Sequence, residues 1–199
     1  LAELYYNLAI GYQKTGEYPK AVGSLQQALN YIKGKKNSLE PYINNLLGAT
    51  FFKLAQYEQS IKVYDSIKAD MSKEHVLYPH IILNQGFAYL KLNKYDQVRD
   101  AIKQLESFSK DDFSLFGFIK LLEADMAMEK KDFTESKNQY YSALDEESEF
   151  GNQAKVLTLH NRLGALYLQQ DSLNAAYKHL SKAMLLADTL NMREESSKN

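Results

Sequence analysis

The sequence predicts an all-α protein built from about five repeated helix pairs, and three observations lead to this fold class. A set of apolar and small residues recurs in one frame about every 39 residues along the 199-residue chain. Within each copy the apolar residues are spaced by three or four, as on one face of a helix, and no stretch alternates convincingly with the period of two typical of strands. Glycine (9) and proline (3) are scarce, which favours long helices joined by few turns.

The repeat is defined by one anchor residue in each copy. The anchors recur at nearly equal intervals, and they are Tyr12, Phe51, Tyr89, Ala127 and Tyr167. We place the repeats at residues 2–36, 39–72, 76–110, 114–148 and 153–190 of a single array over residues 1–199, and residues 191–199 could begin a further repeat. Five copies in one frame are not coincidental.

Each copy is predicted to form two helices. The first copy has one apolar stripe before the turn and a second one after it, at Tyr5, Leu8, Ala9 and Tyr12 and then at Ala21, Leu25, Ala28 and Leu29. The second copy repeats this arrangement at Leu47, Phe51 and Leu54 and then at Ile61, Tyr64 and Ile67. The third copy has its second stripe at Val98, Ile102 and Leu105. The fourth copy is the weakest, with Phe133, Tyr140 and Ala143, and the fifth has Leu163, Leu173, Ala176, Leu180 and Ala183.

Small residues occupy one position of every first helix. They are Ala9, Gly48, Gly86, Ala124 and Gly164. A glycine inside a helix costs about 1 kcal/mol relative to alanine, so three glycines at this position need a compensating reason. We expect the paired helix to approach too closely there for a larger side chain.

The stretch GYQKTGEYPKA, residues 11–21, has two interpretations. Gly11 and Gly16 bracket four residues, as the glycines of a phosphate-binding loop do. That motif requires Lys and then Ser or Thr after the second glycine, whereas Glu17 and Tyr18 follow here, and it requires a preceding strand rather than a helix. The stretch is therefore predicted to be the turn between two helices.

These residues resemble the tetratricopeptide repeat, whose helix–turn–helix signature is matched by Leu8, Ala9, Tyr12, Gly16, Tyr18, Ala21, Leu25 and Ala28. The resemblance covers about residues 2–190. The usual repeat is shorter, at about 34 residues. The additional residues here fall between one pair and the next, as in the extended repeats of bacterial regulatory proteins. The resemblance implies a right-handed solenoid, an α-α superhelix whose concave groove is lined by the first helices.

The groove is the candidate site that the resemblance implies. Its residues flank the packing stripes of the first helices and are Tyr6, Ile10, Gln13, Tyr42, Asn45, Phe52, His80, Leu83, Asn84, Phe87, Lys91, Asn161 and Arg162. Aromatic side chains interleaved with Asn suit a peptide, because carboxamides pair with both N–H and C=O of a backbone. The alternative is that several of these aromatic side chains simply pack between adjacent repeats. Tyr6 and Ile10 stand where the family's terminal-carboxylate clamp would begin, so capture of that kind is not expected.

No catalytic, metal or cofactor site is predicted. The chain has no cysteine, which excludes thiolate zinc sites and thiol nucleophiles. His75 and His80 are five residues apart and would point about 140° apart on a helix, so all four histidines, which include His160 and His179, are interpreted as surface or helix-packing residues. The carboxylates lie near predicted loops, and we interpret them as a solvated face rather than as acid–base groups. We therefore expect a protein that is not an enzyme.

The net charge of −1 gives no general attraction to nucleic acid or to an anionic membrane. No apolar run reaches the roughly 20 residues of a membrane span. Residues 111–150 hold 11 Asp or Glu and 4 Lys, a local charge of −7, which would suit a basic partner or simply a solubilising surface. Cytoplasm, which is slightly favoured, and periplasm both stay open as compartments.

Two functions are consistent with these features. The first is a non-catalytic scaffold that binds a peptide or a partner subunit in the concave groove. The second is the sensory part of a bacterial transcription regulator or signalling kinase whose output domain lies outside the chain. Leu1, Ala2 and Leu4 give an apolar face at one end, so we expect a fragment that stacks on further repeats or self-associates.

Overall fold

The computed structural model describes residues 1–35, 37–109 and 115–196, with side chains described through residue 108 and over residues 115–190. These residues form α-helices joined by short connections and contain no strand. The described helices are α1 (Ala2–Lys14), α2 (Tyr18–Ile32), α3 (Glu40–Lys53), α4 (Tyr57–Asp70), α5 (Tyr78–Lys91), α6 (Tyr95–Ser109), α7 (Phe116–Glu129), α8 (Phe133–Glu149), α9 (Gln153–Gln169) and α10 (Leu173–Ser196). The predicted all-α fold of consecutive helix pairs is confirmed.

The chain divides into two compact units. Unit 1 covers Leu1–Leu105, and unit 2 covers Glu106–Asn199. Helices α1 to α5 lie in unit 1, and helices α7 to α10 lie in unit 2. α10 continues through residues 191–196, where the sequence suggested that a further repeat could begin. The repeat bounds placed at residues 110 and 114 lie outside the described residues.

One turn geometry recurs between the two helices of every pair. The residue four positions after each anchor has a positive φ between 54° and 78°, and these residues are Gly16, Ala55, Asn93, Lys131 and Asp171. The next N–H donates to the carbonyl of the anchor at 2.8 to 2.9 Å in all five copies, as from Glu17 to Tyr12 and from Ser172 to Tyr167. This is the Schellman ending of a helix, in which a left-handed residue satisfies the last carbonyls.

The turn interpretation of GYQKTGEYPKA is thereby explained. Gly11 lies inside α1, and only Gly16 occupies the left-handed position. The other four copies place a non-glycine residue there, at a cost of roughly 1–2 kcal/mol for Ala55 and Lys131 and less for Asn93 and Asp171, whose residue types adopt this conformation more readily. Pro19 is the second residue of α2, where its missing N–H needs no helical partner.

At Gly48 and Gly164 the first helix lies close against its paired second helix, as the sequence predicted. A Cβ atom at Gly48 would stand 2.6 Å from the ring of Tyr64, and one at Gly164 would stand 2.6 Å from Leu180. The Ser60 hydroxyl also donates to the carbonyl of Gly48 at 2.8 Å. The backbones therefore approach closely at this level of the pair.

Each unit has an apolar core formed by the facing sides of its helices. In unit 1 one cluster joins α1, α2 and α3 and a smaller one joins α4 and α5, through Ala9, Ala21, Leu25, Ala28, Ile32, Ile43 and Leu47 and through Tyr64, Ile67 and Ile81. In unit 2 one cluster joins α7, α8 and α9, through Ala124, Tyr140, Ala143, Leu144, Val156, Leu159, Leu163 and Leu166. Within each unit the second helix of one pair therefore packs on the first helix of the next.

None of the described helices is both long enough and apolar enough to cross a membrane.

Candidate protein-binding surface

The first helices of unit 1 carry eleven of the thirteen predicted groove residues. We call this set the first-helix row, and it comprises Tyr6, Ile10 and Gln13 on α1, Tyr42, Asn45 and Phe52 on α3, and His80, Leu83, Asn84, Phe87 and Lys91 on α5. The other two residues, Asn161 and Arg162, lie on α9 in unit 2.

Gln13 joins α1 to α3. Its Nε2 donates to the Thr50 hydroxyl at 2.5 Å and lies 3.4 Å from the carbonyl oxygen of Leu46. Thr50 is fully buried, and its own hydroxyl donates to the same carbonyl at 2.6 Å. The Gln13 carboxamide is therefore held between adjacent first helices at the base of the row.

A second carboxamide contact joins α3 to α5. Asn84 Nδ2 donates to Asn45 Oδ1 at 3.3 Å, and both side chains are half-buried. Each of these side chains therefore contributes to packing between adjacent repeats. An Asn side chain has two donor hydrogens and two acceptor sites, so one contact leaves capacity for another.

The aromatic residues of the row differ in exposure. Tyr42 is 37% exposed, and its ring stands edge-on to His75, with 6.1 Å between the ring centroids. Burial, and after it the proximity of Tyr42, raises the pKa of Tyr6, so the Tyr6 hydroxyl is a neutral donor at physiological pH. Phe52 is half-buried and packs edge-on against Tyr57, with 5.3 Å between the ring centroids.

Three residues of α5 define how much of the row can contact a partner. Leu83 is only 4% exposed, so it supports the row from beneath. Phe87 is half-buried and Lys91 is exposed. On α1, Ile10 is also half-buried. The accessible apolar part of the row is therefore formed by Tyr42, which is exposed, and by the half-buried side chains of Tyr6, Ile10, Phe52 and Phe87.

The two groove residues on α9 have a different environment. Arg162 Nη2 lies 3.1 Å from Asp125 Oδ2, and the buried Tyr140 hydroxyl donates to the other oxygen of the same carboxylate. Asp125 is 8% exposed, whereas the neighbouring Asn161 is exposed. Arg162 therefore joins α9 to α7, and only Asn161 is presented fully to solvent.

Sequence reasoning missed a histidine–tyrosine cluster in unit 2. The Nδ1 atoms of His160 and His179 are 3.0 Å apart, and both side chains are buried. Tyr141 Oη lies 3.0 Å from His179 Nε2 and 3.2 Å from Tyr167 Oη. Both histidines do pack between helices, as the sequence suggested, but nothing in their separation along the chain indicated that they contact each other.

The environment of this cluster favours the neutral imidazoles. Burial, and after it the proximity of His179, lowers the pKa of His160 to about 4. Burial also lowers the pKa of His179, with Lys182 as the second cause. Burial raises the pKa of Tyr141 to about 12, and the hydrogen bond with Tyr167 adds to this rise. Both imidazoles and the Tyr141 hydroxyl are therefore uncharged near neutral pH.

A second missed contact neutralises one of the unit 2 carboxylates. Glu147 is 3% exposed, and its Oε1 lies 2.7 Å from Lys155 Nζ. The same ammonium group stands 3.9 Å from the centre of the Phe118 ring. A Cβ atom at Gly117 would overlap the Glu147 carboxylate, so this glycine leaves the space that the ion pair occupies.

These ion pairs change the interpretation of the acidic segment. Asp125 and Glu147 belong to residues 111–150, but each is buried against a cation from α9. Asp111 and Asp112 lie outside the described residues. The segment is therefore less negative at its surface than its composition indicates. Over the described residues no group of three or more histidine or carboxylate side chains is arranged to hold a metal ion.

A polar cleft of about 350 Å³ lies on another part of unit 1, between α3 and α4 and their connections. Its lining includes Glu40, Asp70 and His75, and none of its lining residues belongs to the first-helix row. The cleft therefore does not coincide with the predicted peptide surface.

Several solved structures are similar to the chain over nearly its whole length. TTC0263, a thermophilic TPR protein of Thermus thermophilus, has a TM-score of 0.68 at 17% identity, covering 100% of this chain and 98% of that one. BtubC (BKLC) from P. vanneervenii has a TM-score of 0.67 at 18% identity, covering 96% of this chain and 81% of that one. A variant of the putative kinesin light chain TPR-like repeats of Podosopora anserina has a TM-score of 0.62 at 14% identity, covering 96% of each chain.

No protein-family model and no curated protein sequence matches the chain. The structural similarities nevertheless identify its fold, because they extend over whole chains that are described as tetratricopeptide-repeat proteins. The resemblance found in the sequence is confirmed at the level of the fold. The chain has the tetratricopeptide-repeat fold.

Proposed function

We propose that this tetratricopeptide-repeat chain is a non-catalytic scaffold that binds a peptide segment of a protein partner along the first-helix row. The observation that carries the proposal is that accessible apolar side chains lie beside carboxamides on α1, α3 and α5. Gln13 and the Asn45–Asn84 pair are already positioned by contacts between helices. Pre-positioned polar groups bind with a smaller loss of conformational entropy.

The chemistry of the row favours an extended, apolar peptide. Ile10, Tyr42 and Phe87 offer accessible apolar surface for side chains, and Asn45 and Asn84 retain capacity to pair with a backbone amide. Lys91 is the charged residue of the first-helix row. Because the row has a single cation, we expect it to recognise a peptide by its apolar side chains and its backbone rather than by a negatively charged tail.

Binding rather than catalysis is supported by the character of the described polar groups. The buried carboxylates of unit 2 are held in ion pairs, and the histidine cluster is enclosed. A basic partner for residues 111–150 is less favoured than the sequence suggested, because two of these carboxylates are neutralised internally. A role as the regulatory part of a bacterial regulator or kinase stays a prediction that sequence beyond residue 199 would test.

The proposal is tested with peptides selected from a random-sequence phage library on the immobilised chain. Affinity of a selected peptide is then measured by calorimetry for the wild type and for Ile10→Ser and Phe87→Ala. We expect each substitution to weaken binding about tenfold or more, because each removes apolar contact area. Asn84 is a poorer probe, since its side chain also joins α3 to α5.

Leu185→Glu provides the matched control, because Leu185 is exposed on α10 in unit 2 and far from the row in sequence. This variant should bind the peptide like the wild type, and all three variants should melt within a few degrees of it. Peptides whose binding is insensitive to both Ile10→Ser and Phe87→Ala would contradict the proposal.

A further inference from the structure

Helix α10 has an exposed apolar stripe. Leu173, Tyr177, Leu180 and Met184 recur at spacings of four, three and four residues, which places them on one face of the helix. Their exposed fractions are 69%, 75%, 37% and 66%. A contiguous apolar face of this kind indicates an interaction surface.

The equivalent face of the earlier second helices is covered. Leu180 corresponds in the repeat frame to residues that are 0 to 1% exposed in α2, α4 and α8, namely Leu25, Tyr64 and Tyr140. In each of these cases the first helix of the next pair packs on the face, α3 on α2, α5 on α4 and α9 on α8. At the positions of Leu180 and Met184, α10 therefore leaves open a surface that receives a first helix in earlier pairs, where Leu29 and Leu144 correspond to Met184.

Helix α1 has the complementary exposed face. Leu4 and Leu8 are 64% and 43% exposed, and a Cβ atom at Gly11 would meet no atom within 4 Å. The counterparts of Leu4 in the later first helices are 0 to 4% exposed, and they are Ile43, Ile81, Ile119 and Leu159. In the repeat frame α1 is therefore a first helix whose contact surface for a preceding second helix is open.

We propose that α10 of one chain binds α1 of a second copy, so that the chains associate head to tail. This contact between two copies, the joint, would repeat the interface that α2 and α3, α4 and α5, and α8 and α9 form within one chain. Leu180 and Met184 would pack against Leu4 and Leu8 of the second copy. The two faces are of different kinds, a second-helix face and a first-helix face. The contact is therefore heterologous, which leaves an unused face on each end of a dimer.

This inference is independent of the peptide-binding proposal, because it uses none of the side chains of the first-helix row. It specifies the self-association that the apolar ends of the sequence suggested. It requires both ends of the chain, and each end can be blocked separately. Met184→Glu places a charge on the α10 stripe, and Leu4→Glu places one on the α1 face; both side chains are largely exposed, so folding should be retained.

Analytical ultracentrifugation from micromolar to millimolar concentration tests the joint. The average mass of the wild type should rise with concentration beyond that of a dimer. Each single variant should have the mass of a monomer at every concentration. An equimolar mixture of the two variants should form a species of twice that mass and nothing larger. The mixture restores one joint, since Met184→Glu still presents its α1 face and Leu4→Glu still presents its α10 stripe.

Leu185→Glu is the control for an added charge on α10. Leu185 is 67% exposed, but its counterparts Asn30, Ala69 and Asp145 are exposed in the other repeats, so it lies outside the joint. This variant should associate like the wild type. A wild type that stays monomeric at millimolar concentration would overturn the proposal. Self-association of Leu4→Glu at wild-type strength would overturn it as well, since that result indicates contact between two α10 helices.

Discussion

The two units bury different kinds of polar group. Among the described residues of unit 1, the buried polar side chains are neutral, namely Ser24, Thr50, Ser60 and Gln85. In unit 2 they include four ionisable groups, namely Asp125, Glu147, His160 and His179. The same repeat frame therefore accommodates either kind. The two units differ in what their stability requires. A buried ionisable group, as in unit 2, needs a partner of suitable charge or protonation.

In unit 1 a neutral side chain, Gln85, is buried between two charged ones. Its buried carboxamide accepts from Lys68 Nζ at 2.7 Å and donates to Asp65 Oδ1 at 2.7 Å. The charged groups remain at the edge, and the neutral amide lies between them. In unit 2 the carboxylate itself is buried, as Asp125 is between Arg162 and Tyr140. Truncation should therefore have unequal consequences in the two units.

The largest expected effect is at Asp125. Asp125→Ala should lower the free energy of unfolding by about 3 kcal/mol, because it leaves the Tyr140 hydroxyl and the Arg162 guanidinium without their acceptor. Gln85→Leu should cost less than about 1.5 kcal/mol, because Lys68 and Asp65 can turn to water. Urea unfolding of both variants, followed by circular dichroism, provides the measurement. Equal losses would remove the distinction between the units.

The second expectation concerns pH. The pKa of His160 is about 4 in the folded chain and that of an unfolded histidine is about 6.5, so the unfolded chain binds more protons between these values. Unit 2 should keep its full stability above pH 6.5 and lose about 2 kcal/mol as the pH falls to 5. The raised pKa of Glu146 opposes part of this loss.

Hydrogen exchange at pH 7 and pH 5, corrected for the intrinsic exchange rate, measures this difference. Protection of α9 and α10 should fall at the lower pH, whereas α1 to α3 serve as the internal control. His160→Asn should reduce the pH dependence of unit 2. Equal loss of protection in both units would mean that the histidine cluster is not responsible.

A third comparison uses the two equivalent glycines. Gly48→Ala should destabilise the chain by about 1–2 kcal/mol, because the Tyr64 ring that it meets is rigid and 1% exposed. Gly164→Ala should cost less than Gly48→Ala, because Leu180, whose Cγ and Cδ2 would each stand 2.6 Å from the new Cβ, is 37% exposed and can shift while the helix gains up to about 1 kcal/mol. Thermal melts of the two variants would show this difference, and a loss for Gly164→Ala as large as that for Gly48→Ala would contradict it.

The smallest effect should be common to both units. Ala55→Gly in unit 1 and Lys131→Gly in unit 2 should each stabilise the chain by about 1 kcal/mol, because both residues hold a positive φ. Gly16→Ala should destabilise by a similar amount. The change in melting temperature checks all three. A stabilisation in only one unit would indicate that the turns are not equivalent.

Much of the fold could be predicted because the repeat makes each element appear five times. The anchors, the small residues and the apolar stripes all carry a local period that helices impose. The sequence predicted a turn at Gly16 but gave no signal for a positive φ at Ala55 and Lys131, whose residue types rarely adopt it, whereas Asn93 and Asp171 are of types that adopt it more readily. Once the copies are aligned, the geometry of one turn applies to all.

The contacts between helices could not be predicted in the same way. The pair Asn45 and Asn84 occupies two different positions of the repeat frame, and their contact depends on how far one helix is displaced along the next. Asp125 and Arg162 are likewise far apart in the chain. A helical period places a residue on a face but does not specify its partner across the interface. The function of the first-helix row therefore stays a proposal.

The most direct test of the central claim is photo-cross-linking from the row itself. A benzophenone amino acid is introduced at Phe87 and, in a separate protein, at Phe133, a half-buried aromatic on α8 in unit 2. With a peptide selected on the wild type, we predict cross-links from position 87 and none from position 133. Cross-links from position 133 without any from position 87 would contradict the assignment of the binding surface to the first-helix row.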